Sequence, residues 1–411
     1  MRIRDLPVNI HVRLWGSFIS RIAASAVFPF MALYLTEEVS RTFAGLFLSL
    51  TVLFSFIINI IAGYICDRLP RKKLLVFLSY MDGLFLSLMA WTVYLNQIHL
   101  FLIFFMMSLT ATTLKRPAFR ALVQDSATPE NRKLIYQLDY WLVNLSIALG
   151  AAIGGVLYHE HKVLLFFMLG VITLFIAVIY HLIIEETYVF IREKAHANVF
   201  RDLLHSYAEV SKNKPFVILV LGGVFIMCAE LSTSSYVAVR LAETFRTEEI
   251  FGFKLTGVRM FSAINIINTL TVVSCTFLVS RVVAKLPLKR VMTIGFLMYG
   301  IGYTVLTSAN VWWLIVIAIL IATLGELIYA PIKNAEELDL IPPDKRGAYG
   351  AFSNLGFNGA DLLSKSGIIL GAYLNPLAMS GVMAVIVTLG AVCMLYSLFD
   401  RNNDLEKEGV V

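Results

Sequence analysis

Gly63-Tyr64-Ile65-Cys66-Asp67-Arg68-Leu69-Pro70-Arg71-Lys72-Lys73 is a short basic turn between two long apolar runs. Its Arg and Lys side chains are too costly to place in hydrocarbon, so the turn must lie at a membrane surface. The apolar runs on either side are then the elements that enter the bilayer. A loop that only set orientation would need the Lys and Arg alone. Asp67, and Gly63 four residues before it, call for a further reason.

Composition supports the same reading along the whole chain. Of 411 residues, 58% are hydrophobic and 15% charged, too few charges for the surface of a soluble fold this long. Apolar segments recur at a length that spans a bilayer as a helix, about 20 residues. Backbone groups in lipid must pair internally, and the short alternating strands of a barrel are not seen. The predicted spans are 13–35, 43–66, 74–95, 99–122, 134–158, 163–184, 215–241, 254–282, 289–308, 311–333, 347–374 and 377–399. The first run is read as a retained helix, because Met1 to Asn9 shows no cleavable signal pattern. Cys66, Cys228, Cys275 and Cys393 are isolated and have no metal or redox spacing. No metal site and no cofactor are expected. The net charge of +6 does not indicate nucleic acid, since the basic residues cluster in short loops.

Those loops set an expected orientation. One side carries Arg2, Arg4, Arg68, Arg71, Lys72, Lys73, Arg132, Lys133, Arg192, Lys194, Arg201, Lys212, Lys214, Arg281, Lys285, Lys289, Arg290, Lys345 and Arg346. The other has Arg41, Lys162, Arg246 and Lys254, mostly among acids. Both termini are therefore expected in the cytoplasm of a cell-membrane protein. The charged stretch 185–214 is read as a linker between an N-terminal half, 1–184, and a C-terminal half, 215–411. The halves repeat each other. Pro117, Ala121, Asp125, Pro129, Glu130 and Arg132 recur, at one offset, as Pro331, Ala335, Asp339, Pro343, Asp344 and Arg346. Leu69-Pro70-Arg71-Lys72 is echoed by Leu286-Pro287-Leu288-Lys289. Thr128-Pro129-Glu130 also suits a helix start on local grounds alone, with a cap, a first-turn proline and an acid at the positive dipole end.

The order Gly-x-x-x-Asp-Arg-x-x-Arg-Lys resembles the loop joining the second and third helices of major facilitator superfamily transporters. The segments Pro129-Glu130-Asn131-Arg132-Lys133-Leu134-Ile135-Tyr136-Gln137-Leu138-Asp139-Tyr140-Trp141 and Thr323-Leu324-Gly325-Glu326-Leu327-Ile328-Tyr329-Ala330-Pro331 resemble the LmrP-like multidrug exporters of that superfamily. The resemblance implies an all-α membrane fold of twelve transmembrane helices in two six-helix halves. It implies drug/proton antiport, with Asp139 and Glu326 as intramembrane carboxylates for protons and cationic compounds. Asp67, Arg71 and Asp125 would form a cytoplasmic charge network, with Arg68 in the same loop and Gly63 as a point of close helix approach. Departures are plain. The family's seventh-span acid has no counterpart at its place near Ser234, although Glu230 lies about one turn away. The twelfth span has no acid before Asp400. Arg21, Asp361 and Lys365 are additional. Gly150-Ala151-Ala152-Ile153-Gly154-Gly155 resembles the fifth-helix antiporter motif with Ala for Pro, and reads equally well as tight helix packing.

The chemistry of the buried charges gives these residues their expected roles. An ionised carboxylate in the bilayer core costs several kcal/mol, so it is rarely there by accident. A carboxylate open to a cavity can hold a proton or a cationic substrate, but not comfortably both. Asp139, Glu326, Glu230 and Asp361 are candidates for proton coupling. Asp361 and Lys365, four apart, read more simply as a neutralised pair on one helix face. Arg21 needs a partner at its depth, for which Glu230, Asp139 and a substrate anion all qualify. Tyr140, Trp141 and Tyr329 stand beside the acids and could contact a flat cation. Asp82 reads as an end charge, and Arg240 and Arg259 as side chains that snorkel at helix ends. No enzyme motif is present. The expected function is proton-coupled export of lipophilic, mainly cationic compounds by a monomer, whose partners are substrate, protons and membrane lipids. Export or flipping of an amphiphilic lipid, uptake of a defined metabolite and a transport-inactive membrane sensor are the alternatives.

Overall fold

The computed structural model describes residues 6–66, 69–126, 129–186, 207–250, 252–283, 286–342 and 346–400. They form twelve long helical segments in chain order: Val8–Glu38, Arg41–Cys66, Arg71–Tyr94, Ile98–Ser126, Pro129–Leu157, Lys162–Ile183, Lys214–Thr244, Gly257–Val283, Leu288–Ser308, Trp312–Asp339, Arg346–Leu370 and Pro376–Leu395. Ten of them hold a stretch long and apolar enough to cross a membrane. The fifth is apolar only over Trp141–Leu157, because its first turns carry Glu130, Arg132, Lys133 and Asp139. The eleventh is less apolar, with Ser353, Asn354, Asn358, Asp361, Ser364 and Lys365 within it. The chain is an all-helical integral membrane protein.

Local chemistry explains several starts and breaks. Asn213 and Asn375 cap the seventh and twelfth segments, each accepting from the backbone N–H three residues on, with proline in the first turn. Pro70 and Pro287 stand at the repeat-related N-caps of the third and ninth. The first segment tightens into a 3₁₀ turn at Phe28–Phe30, and the seventh widens into a π turn at Thr233–Val237. Pro29, which lacks an N–H, accounts for the first break. Beside the second, Ser235 Oγ donates to the Ser364 carbonyl at 3.0 Å. The eighth helix starts at Gly257 rather than near 254, because Glu248–Ile250 and Phe253–Leu255 pair as a small antiparallel hairpin. Gly252, at φ 81°, supplies its turn.

Two compact units make up the chain: Met1–Met31 with Leu50–Ala197, and Ala32–Ser49 with Asn198–Val411. In the first unit the third helix packs on the fourth and sixth, and the first helix on the fifth and sixth. In the second unit the ninth packs on the tenth and twelfth, and the seventh on the eleventh and twelfth. These are the same pairs moved on by six, so the sequence repeat is also a packing repeat. Pro117 and Pro331 lie inside the fourth and tenth helices as the repeat requires. Residues 32–49 join the second unit through Arg41. Its Nε donates to Glu243 at 2.8 Å and its Nη1 to the Gly371 carbonyl at 2.9 Å.

Two charges sit deeper than the sequence indicates. Asp82 is not an end charge: it is 4% exposed and faces the fourth helix. Ser108 and Thr112 donate to it at 2.6 and 2.9 Å, and Lys115 Nζ lies 2.5 Å from Oδ2. Lys115 sits inside the fourth helix, one residue before Arg116, and no helical periodicity marks it as the partner. Arg240 does not snorkel. It is 1% exposed, and its Nη2 donates to the Leu306 carbonyl at 3.2 Å.

Candidate functional site

Two polar clusters, one in each unit, hold the candidate carboxylates Asp139, Glu230 and Glu326. The first is built on the seam between the first and fifth helices. Arg13, Ser17 and Arg21 recur every four residues, which places them on one face of the first helix. Val8, Trp15 and Ile19, exposed to 53%, 51% and 38%, occupy the opposite face. On the fifth helix Asp139 shares a face with Ser146, Gly150 and Gly154. A Cβ at Gly150 would stand 2.5 Å from the Ile22 carbonyl, and one at Gly154 would stand 2.6 Å from the Ala26 carbonyl. These glycines therefore let the two backbones touch, and Asp139 reaches the arginines across the seam.

Asp139 is held from both sides. Arg13 Nη2 lies 3.3 Å from its Oδ2, and Arg21 Nη1 lies 3.1 Å from its Oδ1. The Arg13 guanidinium also stands over the Phe119 ring, 5.6 Å from its centroid. Tyr180 of the sixth helix is hydrogen-bonded to Ser17 and lies in the field of both arginines. Of the three partners open to Arg21 from the sequence, Asp139 is the one in contact. Arg13 was missed, although the four-residue spacing from Arg13 through Ser17 to Arg21 was a readable signal. Trp141 stands apart from this cluster. Two residues turn a helix by about 200°, so Trp141 lies on the far face from Asp139 and is 52% exposed. The side chain of Tyr140 lies outside the described residues.

The second cluster is built from the seventh, ninth and tenth helices. Glu230 is exposed and Glu326 half-buried. Their carboxyl groups are near enough to act on one another electrostatically, and Tyr299, Tyr303 and Tyr329 lie in the same field. The rings pack together: Tyr299 and Tyr303 at 4.6 Å between centroids, Tyr299 and Tyr329 at 5.4 Å, Phe296 and Tyr329 at 4.7 Å. Tyr299 donates to the Ile226 carbonyl at 2.9 Å, tying the ninth helix to the turn of the seventh that precedes Glu230. Gly325 brings the tenth helix against the ninth, because a Cβ there would stand 2.5 Å from the Tyr299 nitrogen. Asn268 of the eighth helix donates to Thr323 at 2.9 Å, one turn before Glu326. Glu230 shares a helix face with Met227 and Ser234, so the position near Ser234 and its neighbour Glu230 present to the same side. Among the described residues neither the Glu230 nor the Glu326 carboxyl group has a hydrogen bond or an ion pair. Tyr303 was not singled out as a site residue in the sequence, because a tyrosine inside an apolar helix carries no positional signal of its own.

The remaining expected residues fall elsewhere. Asp361 and Lys365 are paired at 2.7 Å along the eleventh helix. Arg71 opens the third helix. Gly63 lies within the second helix and Asp125 within the fourth, but their side-chain environments, like Asp67 and Arg68 altogether, lie outside the described residues. No group of three metal-ligating side chains occurs among the described residues.

One unit thus holds an arginine-paired carboxylate, and its repeat holds two carboxylates with no basic partner among the described residues. The family model of the Major Facilitator Superfamily matches residues 14–274. This chain belongs to the Major Facilitator Superfamily. It is a membrane transporter of that type. Among its superfamily relatives is a Na(+), Li(+), K(+)/H(+) antiporter of Planococcus maritimus, 26% identical over 86% of this chain and 87% of the relative. The MFS-type transporter YttB of Bacillus subtilis, itself uncharacterized, is 24% identical over 95% of this chain and 96% of its own. Among solved structures, a peptide transporter POT in complex with sulfate superposes with a TM-score of 0.73 at 14% identity, covering 97% of this chain and 95% of that one. The nucleoside transporter NupG reaches 0.73 at 11% identity, covering 95% and 100%. At such identities the structural likeness is one of fold.

Proposed function

We propose that this transporter exports lipophilic, mainly cationic compounds in exchange for protons, as the LmrP-like exporters do, by alternating access. One observation carries the reading: Glu230 and Glu326 are two neighbouring carboxyl groups with no basic partner among the described residues. Two like charges together in a low-dielectric setting repel, and a proton or a cation relieves that repulsion. Occupation by a cation therefore competes with occupation by a proton, which is the linkage an antiporter needs. Tyr329 and its stacked neighbours supply ring faces for a flat organic cation. Asp139 joins the proton pathway only when an arginine releases it. On this reading both termini face the cytoplasm, the halves are 1–184 and 215–411 joined by the linker 185–214, and Asp67, Arg71 and Asp125 close the cytoplasmic side of a monomer.

The Planococcus maritimus relative favours a second reading, in which the cation is an alkali metal ion. One experiment separates them. Protein is reconstituted in liposomes holding a trapped pH dye, and proton flux is recorded on adding tetraphenylphosphonium, ethidium, Na⁺, Li⁺ or K⁺. Flux driven by the organic cations supports the first reading, and flux driven by the metal ions alone supports the second. Unchanged flux in the double variant Glu230→Gln, Glu326→Gln would sink both.

A further inference from the structure

The first cluster sets two arginines on one carboxylate. Arg21 lies near the middle of a 31-residue span, Val8–Glu38. It is about 20 Å along the helix from Val8. Hydrocarbon is no place for an open guanidinium, and such a group is retained at that depth only for a partner or a function. Its one observed partner is shared: Asp139 gives Oδ1 to Arg21 and Oδ2 to Arg13. Among the described residues the other N–H groups of Arg21 meet no acceptor.

The direction of its exposure matters most. The Arg21 side chain is 34% accessible, against 12% for Arg13. Arg21 is not on the outward apolar face marked by Val8, Trp15 and Ile19. At 100° per residue it lies on the other side of the helix, with Arg13 and Ser17. Its open surface therefore lies away from the exposed apolar face. The charged and titratable groups around it are Arg13 on its own helix, Asp139 on the fifth and Tyr180 on the sixth. A planar fork of donors that is open on one side and fixed by a carboxylate on the other suits a second carboxylate or a similar monoanion.

We propose that Arg21 is a binding point for a monoanionic group, above all a carboxylate, so that the compounds this transporter accepts include zwitterions. The inference rests on the proposed export only for the cationic part of such a compound, and the anion site itself stands without proton coupling.

The test therefore uses equilibrium binding to purified full-length protein, with no gradient. Rhodamine 123 and rhodamine 110 carry the same cationic ring system and differ by one methyl ester, which leaves a free carboxylate on rhodamine 110. Wild-type protein should bind the acid at least as tightly as the ester. In Arg21→Gln the ratio of the acid Kd to the ester Kd should rise about tenfold, the scale of one charge-assisted hydrogen bond. Arg21→Lys keeps the charge but loses the fork, and the ratio should rise by less. The same chemistry could instead serve a free monoanion. In that case chloride or acetate added to low-salt buffer raises the melting temperature of wild type but not of Arg21→Gln, and the dyes do not differ. The melting scans also report whether each variant is folded. An unchanged ratio without an anion-dependent melting shift overturns the proposal. Equal weakening of both dyes in the Gln and Lys variants also overturns it and would leave Arg21 a support for Asp139. If wild type binds neither dye and shows no anion shift, the proposal fails as well.

Discussion

In the first unit Asp139 sits between Arg13 and Arg21, whereas in the second Glu230 and Glu326 share their surroundings with Tyr299, Tyr303 and Tyr329 and no base among the described residues. The difference recurs where the third and fourth helices, and their repeats the ninth and tenth, pack together. Asp82 and Lys115 bridge the first pair as an ion pair. Residues 299 and 329 stand at the repeat-related places, by the same offsets that relate Leu69 to Leu286 and Pro117 to Pro331. There the bridge is a pair of tyrosine rings. Helix pairing has been kept across the repeat while the contact chemistry has changed. An ion pair and an aromatic pair can fill one interhelical slot, since both give directional contact in a region without water. What differs is the consequence. Among the described residues, Asp82 and Asp139 of the first unit have basic partners, and Glu230 and Glu326 of the second have none.

The largest effect should come from breaking an internal pair. Lys115→Met leaves Asp82 buried with two hydroxyls and no cation, and should cost about 3 kcal/mol of stability. The double variant Asp82→Leu, Lys115→Met should recover most of that, as the uncharged ninth–tenth slot suggests. Thermal unfolding of the three proteins in one detergent is the measurement. A double variant no more stable than the single would mean that the two slots are not interchangeable.

Transport is the next test of the contrast. Glu230→Gln with Glu326→Gln should reduce proton-coupled flux about a hundredfold, because two coupled carboxyl groups are lost together, while thermal stability holds or rises. Asp139→Asn should differ in its effect on stability. It removes the carboxylate that Arg13 and Arg21 share and should cost about 1–2 kcal/mol, reduced from the fully buried value by their partial exposure. A second change, Arg21→Gln, should recover part of it. A double-mutant cycle on the melting temperature reads the coupling. Destabilisation by the glutamate changes, or none by Asp139→Asn, would erase the distinction between the units.

The smallest effect belongs to Trp141. It lies on the opposite helix face from Asp139 and half of it is exposed. Trp141→Ala should change the Kd of ethidium less than twofold, read by anisotropy. A tenfold change would bring that face of the fifth helix into the substrate path.

Span number, helix class and the sixfold offset of the repeat were legible in the sequence. Hydrophobic length and loop charge depend only on what a residue is, and proline at a repeated position acts on its own backbone. Glu326 and Asp139 were visible for the same reason, since a carboxylate inside an apolar run stands out in one dimension. Partner choice was not. Asp82 looked like an end charge because its partner, Lys115, lies 33 residues away on another helix, and Arg240 looked like a snorkelling side chain because nothing local showed its burial. Trp141 looked like a neighbour of Asp139 because adjacency in sequence is not adjacency on a helix, where two residues point about 200° apart. The sequence by itself determined that this is a helical membrane transporter with costly charges inside its apolar runs. Only the tertiary structure decided which charges are already matched and which are open, because matching depends on distances between helices, and those are set by glycine contacts and packing rather than by any one segment.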